Sequence, residues 1–556
     1  MFKKIKSDLK KKNPNVFYFF FSLKYFIRNS FLFLRFPVLV KFKDLYEEIK
    51  QVKADTVKGN NILFFSARQE PDHLFVLTIL RWSLNLRGNK TFVLGCDKAI
   101  PTSCNSGSAP SLNKWQCAAC YNFASTTHNL TGAEAEWMRS YVTESDRKSA
   151  NDIVNNLQYT DFKEFEYRGY KVGDLVRVSV AHFLKANTID SATDSVIQIY
   201  RDWIKSAITL VDSFTRYLEE KNPDIIFMLN GLFSAERIML EIARKRNIDV
   251  ITYEVGFMPE TFFFRKNEPI NMCNNNYWSD FKDKELTPVE NIRLNEYNET
   301  RNSGKGYLIN YFPNISADKV KIENEFNFSF TKKTFLLFPN ITWDSTLFNC
   351  DIVFDSMINW INETIRYFIN KPDCQLIIRT HPAEAKLENA DREPVIHFIT
   401  KEFNKLPSNI IIIPSESQVS SYVLMDHSYC GLVYGSTTGI EMGLRGIPVI
   451  VTGKIYYRGL GVSIDPDTKE EYFNILENLC NDTYSFNKSQ STEIWRRYAY
   501  FAIFRSALKL PYFDYPSTNK FPSIELTSIE KLRPGVSKDL DIICDGITKG
   551  TRFIKS

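Results

Sequence analysis

The sequence predicts an α/β protein with two α/β domains, each built around a parallel sheet. Apolar runs of strand length alternate with helical patterns in two separate stretches of the chain, 60–260 and 330–465. Strand, helix and strand at this spacing are typical of parallel α/β sheets. The length of 556 residues also suits two or three domains.

The composition is that of an ordinary globular protein, with 44% apolar and 24% charged residues. The net charge of +5 is too small to indicate nucleic acid as a partner. Ten cysteines in a chain of this length do not indicate a disulfide scaffold, and no cleavable signal sequence is evident. We therefore expect a cytoplasmic protein.

Residues 1–55 are predicted to form a basic, aromatic and helical extension. Six lysines within the first twelve residues precede the aromatic runs 17–21 and 31–34. Three cations interrupt these runs, and each costs roughly 2.5–3.5 kcal/mol at the centre of a bilayer: Lys24, Arg28 and Arg35. We therefore expect no spanning helix. The extension either lies on the inner face of the plasma membrane as a peripheral anchor or packs on the body of the protein.

The first domain is predicted over residues 56–320. Its strands are expected near 61–68, 90–96, 223–231 and 250–257, with helices over 74–86 and 233–245. Ligands of open α/β sheets bind at the carboxyl ends of the strands, where Asn230, Gly231, Glu254 and Gly256 are placed. Glu254 is the candidate general base, and a structural ion pair is the alternative role.

No resident cofactor is indicated for this domain. The glycine fingerprint of dinucleotide-binding folds is absent, so redox chemistry is not expected. Four cysteines within 25 residues could hold a structural zinc ion: Cys96, Cys104, Cys117 and Cys120. The first pair is spaced too widely for a standard zinc knuckle, so free structural cysteines are an equal alternative.

The second domain is predicted over residues 321–515, after a polar, Asn-rich segment near 280–330 that we interpret as a linker. Strands are expected near 334–340, 374–379 and 409–413, with a helix over 354–369. Polar residues follow these strands and are expected at one edge of the sheet: Asn340, Arg379, His381 and Pro382. A helix over 495–508 is expected to return to the first domain, and residues 516–556 form a tail without a clear prediction.

The stretch 426–451 is a short strand, a turn of hydroxyl residues and glycine, a helix and a second strand. Ser436, Thr437 and Thr438 stand at the predicted helix start, where free N–H groups and hydroxyls bind anions and most commonly phosphate. Helix capping alone is the alternative for Ser436 and Thr437. The nearby Arg379-Thr380-His381-Pro382 favours a phosphorylated donor. The candidate donor-binding residues are Asn340, Pro382, Gly435, Ser436, Thr437, Thr438 and Glu441.

Three sequence elements carry a family resemblance: Arg379-x-His381-Pro382, Tyr434-Gly-Ser-Thr-Thr-Gly-x-Glu441 and Gly446-x-Pro448. They resemble GT-B glycosyltransferases of bacterial capsule and lipopolysaccharide biosynthesis. Within these, they are similar to the capsule polysaccharide synthesis families that include Kdo-transferases and polysialyltransferases and that pair a His-Pro with a Ser/Thr motif. Where polysialyltransferase-like members carry two adjacent acids before a glycine, this chain has Glu254, Val255 and Gly256.

The resemblance implies a GT-B fold, in which two Rossmann-like domains face a cleft. It implies that His381, Ser436 and Thr437 contact the phosphate of a nucleotide-sugar in the second domain, while the first domain receives an oligosaccharide or lipid-linked glycan acceptor. The expected reaction moves a sugar, with a CMP-sugar slightly favoured as donor, to a growing capsule, O-antigen or lipopolysaccharide chain.

In the expected mechanism, Arg379 and His381 stabilise the leaving phosphate, His381 also serves as a proton donor, and Glu254 activates the acceptor hydroxyl. No Asp-x-Asp pair stands at a strand end, which favours a metal-independent reaction. Two alternatives remain open. One is a polyol-phosphate transferase of the teichoic acid type, and the other is a non-catalytic nucleotide- or sugar-binding subunit of a capsule assembly complex.

Overall fold

A computed structural model describes most of the chain: residues 37–52, 59–100, 104, 114–186, 189, 193–270, 275–302, 316–386, 393–514 and 523–556. The basic and aromatic runs within residues 1–36, for which a membrane-surface anchor is one of the two expected roles, lie outside the described residues. In the part of the chain that is described, no helix has the length and apolarity needed to cross a membrane.

The first domain is organised around a mixed sheet with helices on both faces. Its elements in chain order are α1 (Pro37–Ile49), β1 (Asn61–Ser66), α2 (Pro71–Leu86), β2 (Lys90–Gly95), α3 (Lys114–Leu130), β3 (Ala135–Trp137), α4 (Glu144–Asn155), α5 (Val172–Leu184), α6 (Asp194–Lys221), β4 (Ile225–Leu229), α7 (Ser234–Lys245), β5 (Asp249–Val255) and β6 (Thr261–Lys266).

The central strands of this sheet are parallel and run in the order β3-β2-β1-β4-β5. This order is that of a Rossmann-type sheet, in which the connections reverse direction between β1 and β4. All five residues of β4 are buried, since helices cover both faces of the sheet. Alternate residues of β1 serve the two cores, with Ile62 and Phe64 in one and Leu63 and Phe65 in the other.

The second domain repeats the arrangement with a wholly parallel sheet. Its elements are α8 (Pro288–Asn302), α9 (Lys319–Phe326), β7 (Lys333–Phe338), α10 (Met357–Ile369), β8 (Cys374–Arg379), α11 (Ala383–Lys386), α12 (Val395–Glu402), β9 (Ile410–Ile413), α13 (Ser421–Asp426), β10 (Cys430–Val433), α14 (Thr438–Gly443), β11 (Val449–Val451), α15 (Lys469–Cys480) and α16 (Lys488–Tyr500).

The second sheet has the order β11-β10-β7-β8-β9, and its connections reverse between β7 and β10. It therefore has the same Rossmann-type strand order as the first sheet. The predicted α/β class with two Rossmann-like domains is confirmed.

The segment near 280–330 is more structured than the linker that the sequence predicts, because it contains α8 and α9. Helix α8 buries only Leu294, so it lacks the apolar stripe that identifies most helices in a sequence. Polar contacts hold it instead against α16, where Arg496 Nη2 lies 2.7 Å from Asn291 Oδ1.

After α16, the chain returns to the first domain as predicted. A π-helical turn over Phe501–Arg505 leads to β12 (Leu508–Lys509), which pairs antiparallel with β6. The chain continues through β13 (Phe513–Asp514), β14 (Ser523–Ile524) and α17 (Lys538–Lys549).

The C-terminal residues belong to the core of the first domain rather than forming a separate tail. Leu540, Ile543 and Ile547 of α17 pack in the same apolar cluster as α2 and the buried face of α1. Arg87 at the end of α2 donates to Asp541 Oδ1 at 2.5 Å and to Leu532 O at 2.7 Å. The described part of the N-terminal extension thus packs on the body of the protein.

The packing of α17 yields a stability prediction. Ile543 is fully buried, so Ile543→Ala should lower the free energy of unfolding by about 2–5 kcal/mol. Lys549→Ala, on the exposed end of the same helix, is the matched control and should change it little. Urea unfolding monitored by circular dichroism measures both, and equal midpoints for the two variants would contradict this placement.

Candidate functional site

The two sheets each present a switch point, where adjacent strands connect in opposite directions and open a crevice at their carboxyl ends. In the first sheet, Arg68 follows β1 and Asn230 follows β4. In the second sheet, Asn340 follows β7 and Gly435 follows β10. The sequence therefore places polar groups at the two points where an open α/β sheet binds ligands.

Asn340 connects the loops that follow β7 and β10 at the second switch point. Its Nδ2 donates to Gly435 O at 3.1 Å, and its Oδ1 accepts from Gly435 N at 3.2 Å. The side chain is buried, and this reciprocal pair uses both ends of its amide. Asn340 thus positions the Gly435-Ser436 turn, which differs from the predicted direct contact with a ligand.

The hydroxyl groups of the turn differ in the contacts that they make. Ser436 Oγ accepts from Thr438 N at 3.3 Å and from Thr438 Oγ1 at 2.9 Å, and Tyr457 donates to Ser436 O at 2.6 Å. Thr437 makes no capping hydrogen bond and is half-buried at the rim. Helix α14 has only six residues, so individual N–H groups and hydroxyls, more than a macrodipole, determine what this turn can bind.

Glu441 has a structural partner. Its Oε1 lies 2.7 Å from Arg301 Nη2 of α8, and its carbonyl accepts from Arg445 Nη1 at 2.8 Å. Both side chains of the Glu441–Arg301 pair are largely buried. Glu441 thus fastens α14 to α8 in this structure, and its role in binding a donor stays a prediction.

His381 is a neutral imidazole in the folded protein. Burial lowers its pKa to about 4, and the opposing effects of Asp344 and Arg379 are smaller. Its Nδ1 accepts from Ala383 N at 3.1 Å, so the ring proton of the neutral form is assigned to Nε2. His381 can donate a hydrogen bond to an anion, but as a neutral ring it is not poised to release a proton as the sequence predicts. Pro382 lies between His381 and Ala383 and immediately precedes α11.

Arg379 supports a neighbouring loop. Its Nη1 donates to Pro414 O at 2.5 Å and its Nη2 to Ser417 O at 2.9 Å, both after β9. The side chain is buried, which lowers its pKa to about 10, and its Nε has no hydrogen-bond partner in the described part of the chain. This geometry differs from the predicted contact with phosphate and makes Arg379 a positioning residue.

Glu254 lies at the first switch point in an environment that suits a base. Its Oε2 accepts from Asn230 Nδ2 at 2.8 Å, and its Oε1 accepts from Val255 N at 2.9 Å. Burial raises the pKa of the Glu254 carboxyl, while these two donors and the nearby Arg68 oppose that shift. A carboxylate of raised pKa, held by two hydrogen bonds, is a stronger and better oriented base than an exposed one.

Arg68 and His73 complete this cluster and are absent from the sequence prediction. Arg68 Nε lies 3.1 Å from Glu236 Oε1, and its guanidinium lies over the ring of Phe233 at 4.1 Å. His73 Nδ1 lies 3.2 Å from Tyr253 Oη, and burial lowers the pKa of its ring to about 4. Arg68 follows a strand, as Asn230 does, so its position at a strand end could have identified it from the sequence. His73 and Glu236 lie within helices, where the sequence gives no indication of a role in the site.

Aromatic contacts join the loops that follow the two switch points. The ring centroids of Trp343, shortly after Asn340, and His182 are 5.2 Å apart, and those of His182 and Phe233 are 5.1 Å apart. Phe257, after β5, meets Tyr456, after β11, at 6.0 Å. The two carboxyl edges thus face each other across one cleft, which is the GT-B arrangement that the resemblance implies.

The four cysteines that could hold zinc lie after β2 and on α3. Burial, followed by the proximity of the other thiols, raises the pKa of Cys96 to about 12, and burial also raises the pKa values of Cys117 and Cys120. Within the described ranges, no group of three or more His, Cys, Asp or Glu side chains is arranged to hold a metal ion.

The family model of capsule polysaccharide biosynthesis proteins matches residues 292–475. The matched segment contains Asn340, Arg379, His381 and the turn at Gly435. The match confirms the family resemblance over this segment, which is less than half of the chain. A search of curated proteins finds no match.

Several solved structures are similar to the chain at low identity. The β-Kdo 2,4-transferase KpsC of Thermosulfurimonas dismutans is 14% identical over 56% of this chain and 88% of its own, with a TM-score of 0.33. The UDP-GlcNAc 2-epimerase of Neisseria meningitidis, bound to UDP-GlcNAc, is 11% identical over 79% of this chain and 98% of its own, with a TM-score of 0.23. At these values the similarity carries no argument about activity, and the fold rests on the two strand orders.

The lowered pKa of His381 predicts a pH dependence of stability. Its pKa is about 4 in the folded protein and 6.5 by reference, so the unfolded chain binds this proton more tightly. The free energy of unfolding should therefore be fully retained above about pH 6.5 and fall as the pH drops towards 4.

His381→Asn removes this proton site, while its Oδ1 can still accept from Ala383 N. Urea unfolding between pH 7.5 and 4.5 should show a shallower pH dependence for the variant than for the wild type. The other buried histidines are the same in both proteins, so their contribution cancels in the comparison. Parallel pH profiles would mean that His381 is not buried as a neutral ring.

Proposed function

We propose, from the capsule polysaccharide biosynthesis domain that this chain carries, that the protein is a glycosyltransferase. It would transfer a sugar from a nucleotide-activated donor to a growing surface polysaccharide. The observation that carries the proposal is the opposition of two switch points across one cleft, one with a carboxylate of raised pKa and the other with an uncharged imidazole and hydroxyl groups. Such a pair of edges suits an acceptor hydroxyl on one side and a phosphate on the other.

The second domain would hold the donor. The Nε2–H of His381 and the hydroxyls of Ser436 and Thr437 would donate to the phosphate oxygens next to the sugar. Because these groups are neutral and fixed in place, they would stabilise the charge that develops as the sugar–phosphate bond breaks, without reorganising. Asn340 and Arg379 would act on this step indirectly, by holding the turn and the adjoining loop.

The first domain would supply the base. Glu254 would accept the proton of the acceptor hydroxyl as that oxygen attacks the anomeric carbon, and the nucleotide would leave with its phosphate. Asn230 and the Val255 N–H hold the carboxylate by two hydrogen bonds. This fixed orientation supports a catalytic role for Glu254 rather than a purely structural one. This arrangement also argues against the non-catalytic subunit, which has no need to bury a carboxylate at a switch point.

Glu254→Gln tests the base. The amide keeps the size of the side chain but accepts no proton, so the transfer rate should fall by at least about a hundredfold. The affinity for the nucleotide should stay unchanged, because the donor would lie on the other edge. Both are measured with the donor that the protein consumes, the first as nucleotide release in the presence of acceptor glycan.

The matched control is Glu134→Gln, which makes the same change at an exposed residue of the first domain. It should retain full transfer. Near-normal transfer by the Glu254 variant, folded and saturated with donor, would remove Glu254 from the mechanism.

One experiment identifies the nucleotide-sugar donor. Incubation of the protein with CMP-, UDP-, GDP- and CDP-activated donors should consume one nucleotide-sugar and release its nucleotide. The slight preference for a CMP-sugar comes from the sequence resemblance alone. Consumption of a CDP-polyol would instead identify the teichoic-acid-type reaction, and binding of a nucleotide without turnover would identify the non-catalytic subunit.

The acceptor would be an oligosaccharide or a lipid-linked glycan of the cell envelope. The basic and aromatic residues ahead of α1 would then place the protein on the inner face of the plasma membrane, where each cation near anionic lipid contributes about 1 kcal/mol.

A further inference from the structure

A cavity of about 480 Å³ opens between the two domains, beside the residues discussed above. Its first-domain wall comes from α5, α7 and the strand β6 with the turn after it, and its second-domain wall from the loops that follow β7 and β11. This volume lies in the range of small-molecule sites, roughly 300–1,000 Å³. None of the groups assigned to the donor or to the base lines it.

The charged residues that line the cavity are mostly cationic. They comprise four cations and two carboxylates: Arg237, Arg244, Arg265, Lys454, Asp174 and Glu268. Glu268 lies 3.4 Å from Arg265, so part of its charge is already neutralised. The lining therefore keeps an excess of positive charge in a concave site, where surrounding protein strengthens its effect on a ligand.

Helix α7 aims two of these arginines at the cavity. Arg237 and Arg244 are seven residues apart and lie on one face of the helix, and both contact Glu241 Oε1 at 3.0 Å. Arg244 also donates to Asn267 O at 2.8 Å through Nε. The ion pair of Arg237 joins its Nη2 to Glu241, and its Nε and Nη1 make no hydrogen bond among the described residues. Each of these two N–H groups can donate a charge-assisted hydrogen bond to a carboxylate or phosphate oxygen.

The environment of Arg237 supports the same conclusion. Burial lowers the pKa of its guanidinium, Glu241 opposes that shift, and Arg244 adds a smaller lowering effect. Lys454, on the opposite wall, is exposed and belongs to the loop after β11. A bound anion would compensate the buried charge of Arg237 and bridge the two domains.

The rest of the lining suits a sugar ring. Phe348 and Tyr456 from the second domain offer apolar faces next to the charged groups. Leu232 links the cavity to the base, since its N–H donates to Asn230 Oδ1 at 3.0 Å and Asn230 in turn holds Glu254. The cavity is thus connected to the proposed base through Leu232 and Asn230 of the first domain.

We propose that this cavity binds an acidic sugar of the acceptor, one that carries a carboxylate or a phosphate group. Arg237 and Lys454 recognise its charge from opposite walls, and Phe348 and Tyr456 pack against its ring. The inference rests on the proposed function in naming the ligand an acceptor, while the recognition of an acidic sugar stands on the cavity alone.

The experiment measures binding of three small probes to the full chain by ligand-observed NMR: glucuronate, glucose 6-phosphate and glucose. At least one charged sugar should bind about tenfold more tightly than glucose, because a charged hydrogen bond is added to the same ring. Arg237→Gln and Lys454→Glu should each reduce its affinity towards that of glucose. Equal binding of all three probes would overturn the proposal.

Arg246→Gln is the matched control, because Arg246 has the same exposed fraction as Arg237 (30%) and also pairs with one glutamate, but it does not line the cavity. It should leave the charged sugar bound as in the wild type, and an equal loss in both arginine variants would overturn the proposal. The cavity could instead bind the phosphate of the nucleotide donor. Titration with the nucleotide that the protein binds distinguishes this ligand from an acidic sugar. A loss of nucleotide affinity in Lys454→Glu, without loss of the charged sugar, would assign the cavity to the donor phosphate and also overturn it.

The two proposals fail separately. If no donor is consumed and Glu254→Gln changes nothing, the transferase assignment falls while the preference for charged sugar remains measurable. If transfer occurs but charged and neutral sugars bind alike, only the acidic-sugar site falls.

Discussion

The reversal of strand connections in each sheet is the constraint on which the rest of the structure depends. At β1/β4 and at β7/β10 the loops that follow the two strands leave in opposite directions. The polar groups at these strand ends therefore lack contacts from an adjacent loop. An asparagine meets this requirement in each sheet. Asn230 holds the Glu254 carboxylate in the first, and Asn340 holds both polar groups of Gly435 in the second. The same local problem thus yields a positioned base on one edge and a positioned turn on the other.

Burial shifts the titratable groups on both edges towards their neutral forms. It raises the pKa of the Glu254 carboxyl and lowers that of the His381 imidazole, since a low-dielectric environment disfavours the charged form of either group. Arg68 and the two donors to Glu254 counter the shift at the first edge, and Asp344 counters it at the second. The cleft therefore combines a carboxylate of increased basicity with an uncharged donor, and the strong negative charge of a phosphate would be brought by the ligand itself.

The sequence predicts the strands well because those of a doubly covered sheet are continuous apolar runs, as in the wholly buried β4. It also predicts which residues stand at the strand ends, including Glu254, Asn340 and Gly435. It does not predict where their side chains point. Arg379 turns towards Pro414 and Ser417 because of a loop that another strand places there, and Glu441 turns towards Arg301 of a helix that shows no apolar periodicity.

The two domains are joined where their connections lie side by side, and this limits how the cleft can be arranged. The first connection enters the second domain through α8, and the second leaves it through α16 and the π-helical turn at residues 501–505. The two contact each other, with Arg496 on Asn291 and Arg505 on Glu290. Trp278, just ahead of α8, packs against Tyr498 and Phe501 at 5.2 and 5.4 Å. An aromatic core and two polar contacts therefore join the two connections into a single junction between the domains.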